Sequence, residues 1–155
     1  MCALISACGS NGTTIAHNTD GGTTVTMGDS GNGPAMVAKV AGPGQAVVPG
    51  DLPVWAPVYP GATVSQVTDI ASHGGEAMPG GRHKQVIFLT SDPIAKVSEF
   101  YEQKIAATGV KPMMTSNQPD GSMWAMPAPG GQSDTITVAK SDGQTAIALT
   151  YGVKQ

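Results

Sequence analysis

Asp142-Gly143 stands between two runs that alternate apolar and polar residues, and it constrains the chain more tightly than any other feature. A two-residue type I′ hairpin needs positive φ at both central residues, which Asp-Gly tolerates well. The turn would set residues whose numbers sum to 285 opposite each other: Val138 against Ile147, Ile136 against Leu149 and Asp134 against Tyr151. Apolar residues then meet apolar residues. The match checks the register independently, because a slip of one residue would turn one strand's apolar set away from the core. Asp120-Gly121 predicts a second hairpin with pairs summing to 241, so that Asn117 faces Trp124 and Thr115 faces Met126.

Upstream, 62–68 and 84–90 read as strands. The second, KQVIFLT, is apolar on both faces and so belongs near the centre of its sheet. One helix follows over about 93–108, with Asp92 as N-cap, Pro93 at its first position and Thr108-Gly109 as its stop. Ile94, Val97, Tyr101 and Ile105 recur at spacings of 3, 4 and 4 and form one apolar stripe. The expected fold is α+β: β-β-α followed by a four-stranded antiparallel meander, with one helix packed on the sheet.

The first part of the chain obeys different rules. Residues 1–60 hold 10 of the 21 glycines, 6 of the 12 prolines and four charged residues, Asp20, Asp29, Lys39 and Asp51. The other fifteen charges lie beyond, so low charge marks the beginning of the chain more than the whole. A segment so poor in large side chains buries too little to offset the entropy of ordering it. Within it, Gly12-Thr13-Thr14-Ile15 and Gly22-Thr23-Thr24-Val25 form a weak ten-residue repeat that favours extended backbone, expected as a flexible spacer with a small hairpin resting on the main domain as the alternative. Prolines at 43, 49, 53, 57 and 60 then stiffen a connector whose Leu52, Val54, Trp55, Val58 and Tyr59 are apolar enough to lie on the domain surface. The expected division is a signal-sequence remnant over 1–8, a flexible Gly/Thr/Pro-rich spacer over 9–50 and a small α+β domain over 51–155.

Ile5-Ser6-Ala7-Cys8-Gly9 resembles the lipobox of bacterial lipoproteins, in which the Cys is acylated and becomes the new N-terminus. Narrow side chains beside the scissile bond are what such a peptidase requires. Only seven residues precede Cys8, none of them basic, so the gene product is expected to start upstream of Met1. Cys8 is the expected lipid attachment site, and Gly9 in place of Asp points to the outer membrane, facing the periplasm. The alternative is that Cys2 and Cys8 are ordinary small residues or a local disulfide.

Leu52-Pro53, Pro57-Val58-Tyr59-Pro60-Gly61-Ala62, Thr90-Ser91-Asp92, Phe100-Tyr101, Gly109 and Ile147-Ala148-Leu149-Thr150-Tyr151 together resemble a family of Gram-negative envelope lipoproteins. That pattern runs from a proline-rich lead into YPGA, through a strand and a helix with FY, to a β-meander. The resemblance covers about 52–151 and implies an envelope location without supplying any catalytic position.

Other candidate chemistry is sparse. No run approaches the roughly 18 apolar residues of a spanning helix, and a net charge of −3 gives no attraction to nucleic-acid phosphates. His73, Glu76, Met78 and His83 could in principle meet at one metal, though their spacing matches no common site and the intervening glycines suggest a loop. Met113-Met114 and Met123/Met126 invite a copper reading, but each pair points to opposite faces of a strand, as core filler would. Glu99 and Glu102 read as a solvated helix face. No nucleophile elbow or phosphate cradle is present, so neither an enzyme nor a cofactor is expected. Trp55, Tyr59 and Trp124 either anchor the proline-rich arm or line a groove for an extended partner. The expected function is a lipid-anchored, non-catalytic binding or scaffolding module; the alternative is a periplasmic metal or small-ligand carrier.

Overall fold

The computed structural model describes residues 13–19, 21–27, 35–41, 46–73, 81–128 and 133–153. Nine strands form one antiparallel sheet: β1 (Thr13–His17), β2 (Thr23–Met27), β3 (Ala35–Val40), β4 (Thr63–His73), β5 (Gly81–Thr90), β6 (Met114–Gln118), β7 (Gly121–Pro127), β8 (Ser133–Ser141) and β9 (Gln144–Gly152). Across the sheet they run β1-β2-β3-β4-β5-β9-β8-β7-β6, and the one helix among the described residues, α1 (Ile94–Thr108), joins β5 to β6. The expected α+β architecture is therefore corrected to a β-rich one. Threonine and β-branched residues in 13–40 pair as strands and extend the sheet beyond β4. The two repeat units face each other, with Ile15 opposite Val25.

The Asp142-Gly143 hairpin has the register read from its sequence, Val138 opposite Ile147 and Ile136 opposite Leu149. Both turn residues have positive φ, 47° and 81°, as a type I′ turn requires. The second hairpin is displaced. Gln118 pairs with Gly121, so the two turn residues are Pro119 and Asp120, and Thr115 and Asn117 face Trp124 and Ser122 rather than Met126 and Trp124. Gly121 serves the strand instead of the turn: a Cβ there would lie 2.7 Å from the Val138 carbonyl oxygen. A shift of two residues keeps every side chain on its face, so the apolar pattern survives the misplaced turn.

The helix begins at Ile94 with Pro93 as its cap residue, and no side chain caps it. Asp92 is drawn away by other partners, accepting hydrogen bonds from Tyr59 Oη at 2.7 Å and Lys96 Nζ at 2.9 Å. Gly109 ends the helix in the left-handed region at φ 72°. Val97, Ser98, Tyr101 and Ile105 are the buried face.

The core lies between α1, the arm at 51–62 and one face of the sheet. Trp55, Ala56 and Tyr59 of the arm join Val86, Phe88, Trp124, Met126, Ile136, Val138, Ile147, Leu149 and Tyr151 in a single buried cluster. In β4 the register shifts between Val64 and Gln66. This bulge lets Val64 and Val67, three apart, both stand opposite core residues, Phe88 and Val86.

Candidate functional site

The arm is held at both ends. At its start, Asp51 accepts hydrogen bonds from Lys84 Nζ at 2.6 Å and Tyr151 Oη at 3.0 Å. The hydrogen bond from Lys84 outweighs the opposing desolvation and holds the Asp51 carboxyl below its ordinary range, with Tyr151 adding to the lowering. Burial, reinforced by Asp51, pushes the Tyr151 phenol up. At its end, the Tyr59 hydroxyl and then Lys96 lower Asp92 in the same sense. In the middle, Tyr101 Oη donates to the Pro57 carbonyl at 3.1 Å.

Each anchor borders an open cleft. One of about 470 Å³ is lined by Asp51, Leu52, Val54, Asp134, Tyr151 and Val153. In it Asp134 accepts from the Gly152 N–H at 2.8 Å, while desolvation raises its carboxyl above the ordinary range. The other, about 350 Å³, lies against Tyr59, Asp92, Lys96 and Phe100. Both clefts are floored by groups already paired to one another, which suits them to clamping the arm.

Trp55, Tyr59 and Trp124 are 8%, 4% and 2% exposed, so their rings pack the core and tie the arm to the sheet. Cys8, Glu76 and Met78 lie outside the described residues. His73 ends β4, whereas His83 stands in β5 opposite Ile70 and Gly152. Among the described residues, no group of three or more His, Cys, Asp and Glu could hold a metal ion, and no helix is long and apolar enough to cross a membrane. Met126 is buried in the core and Met123 is half-buried on the opposite face, while Met113 and Met114 are exposed. Glu99 and Glu102 are exposed, as a solvated face would be.

A larger feature is the sheet face turned away from the helix. The six charged residues of the strands, Lys39, Asp69, Arg82, Lys84, Asp134 and Lys140, all share the core-side face. Register shows this directly: Lys39 opposes Asp69, Asp69 opposes Lys84, and Lys84 opposes the buried Tyr151. Asp134 opposes the buried Met126, and Lys140 opposes the buried Thr145. The reverse face therefore carries no Asp, Glu, Lys or Arg among the described residues. At its centre Ile87, Leu89, Ala146, Ala148, Thr135 and Thr137 are half-buried, and none belongs to the core cluster. Toward the β1 end Ile15, Met27 and Met36 are 48%, 50% and 41% exposed. Sequence reasoning missed this face, although its signal was present: in β5 and β8 the charges share the parity of the apolar core residues, leaving the other parity uncharged.

Comparison of the chain with protein-family models, curated proteins and solved structures returns no match.

Proposed function

We propose that this chain is a lipid-anchored bacterial envelope protein whose folded part acts by binding or scaffolding, carried at the outer membrane toward the periplasm on an acylated Cys8. The motif Ile5-Ser6-Ala7-Cys8-Gly9 supports the anchor. Two or three acyl chains hold a protein firmly where one does not, at about 0.8 kcal/mol per buried methylene. The observation that carries the binding half is the charge-free sheet face. A broad uncharged surface can be covered without desolvating an ion, which is the feature that distinguishes the centre of a protein contact from ordinary surface. The clefts at the two ends of the arm hold paired groups and serve the arm's attachment.

The test is to express the complete gene, including its upstream region, in a Gram-negative host fed a palmitate analogue. The expected outcome is label in the membrane fraction for the natural protein and none for Cys8→Ser. Natural protein that is stable but unlabelled would dismiss the anchor.

A further inference from the structure

We propose that the charge-free face of the sheet is the contact surface of a homodimer, in which two copies pack face to face about a twofold axis running along β9. The proposal concerns the folded part and stands whether or not Cys8 carries lipid. Its first support is electrostatic. Among the described residues, every Asp, Glu, Lys and Arg of the strands lies on the core side. The titratable side chains of the reverse face are His17 in the outermost strand β1 and His83 opposite Gly152, so the central rows of two reverse faces meet with no ion desolvated and no like charges opposed. A face without charge is complementary to itself.

The second support is extent. A strand twist of roughly 20–25° per neighbour turns the outer strands away and leaves the central ones to make contact. The five strands β4, β5, β9, β8 and β7 are 7 to 11 residues long. At about 4.8 Å between strands and 3.4 Å per residue, they cover on the order of 700 Å², close to the roughly 800 Å² per partner of a standard interface.

The third support is shape. Ile87, Ala148 and Thr137 form one row across the face, and Leu89, Ala146 and Ala139 form the next. The large residues stand on β5 and the small ones on β9 and β8. An axis lying between the two sheets and along β9 carries β5 of one copy over β8 of the other. Ile87 then meets Thr137, Leu89 meets Ala139, and Ala148 meets its own counterpart. Bulk falls on space in both directions, as an isologous contact requires. The product is a two-layer sandwich with α1 and the arm on each outer side.

The test is sedimentation equilibrium of the full chain at tens of micromolar, alongside Ala148→Glu, which sets two carboxylates face to face at the axis, and Ala106→Glu on the exposed side of α1. The expected result is a species of twice the 15.6 kDa chain mass for the natural protein and for Ala106→Glu, and a monomer for Ala148→Glu. A monomeric natural protein would overturn the proposal, and so would an Ala148→Glu protein that stays dimeric. If circular dichroism shows that Ala148→Glu has lost its fold, Ala148→Cys in a chain with Cys2→Ser and Cys8→Ser decides instead. A short bifunctional maleimide should then cross-link it to itself, and no cross-linked pair would count against the dimer.

Discussion

Asp51 and Asp134 border the same cleft and respond to it in opposite senses. Lys84 and Tyr151 stabilise the Asp51 carboxylate, so its contribution is full above the ordinary carboxyl range and is lost as pH falls through its lowered folded value. The pair is partly solvated, with the Asp51 side chain 41% exposed, which limits the contribution to about 1 kcal/mol. Asp51→Asn should lower the thermal midpoint at pH 7 and converge with the natural protein once pH has fallen through the lowered folded value of the Asp51 carboxyl. Desolvation opposes ionisation of Asp134, whose folded carboxyl titrates above its unfolded one. Its relative contribution is full at acid pH and lost as pH rises. Asp134→Asn retains an oxygen to accept from Gly152, so at pH 7 it should equal or exceed the natural protein in stability, and the difference should vanish in acid. Thermal melts of both variants from pH 3 to pH 8 check the signs. A loss of stability at neutral pH for Asp134→Asn would contradict the account of that cleft.

At the scale of elements, the two hairpins explain what a sequence discloses. Asp142-Gly143 is legible because its turn chemistry and the alternation of its flanks agree, and both are local. Asp120-Gly121 misleads because Gly121 answers a distant constraint, the Val138 carbonyl on the neighbouring strand. Gly121→Ala should cost about 1–3 kcal/mol in urea unfolding, whereas Gly50→Ala, where a Cβ would meet nothing within 4 Å, should cost little. Equal effects would remove the strand role assigned to Gly121. Asp92 is a similar case: its N-cap signal is sound, but Tyr59 and Lys96 claim its carboxylate. The ten-residue repeat offers the β1–β2 hairpin as the alternative to a flexible spacer, whereas β3 is not legible, because its pairing with β4 depends on a partner far along the chain. Of the arm, the apolar residues were legible as a docking segment. Trp55→Ala should cost about 3–5 kcal/mol, read by denaturation, because the indole lies within the core cluster. A loss below about 1 kcal/mol would mean that the arm is not part of the folded unit.

The whole molecule is one-sided. Helix, arm and the Asp, Lys and Arg residues of the strands lie on one side of a nine-stranded sheet, and the reverse side presents no Asp, Glu, Lys or Arg among the described residues. Neither half of that division is visible in composition, since the same few charges spread over both faces would give the same totals. It emerges only when register assigns each residue a side. The proposed function is association: an anchor expected at Cys8 and an uncharged face proposed to meet its own copy. Stability and assembly should then be linked by mass action, because a contact made only by folded chains stabilises them with the logarithm of their concentration. The most direct measurement is the thermal midpoint of the natural protein over a hundredfold dilution. A dimer held through this face should lose about 2.7 kcal/mol of apparent stability per dimer, about 1.4 kcal/mol per chain, a fall of roughly 4 °C, while Ala148→Glu shows no such fall. A midpoint that does not move on dilution of the natural protein would contradict the account.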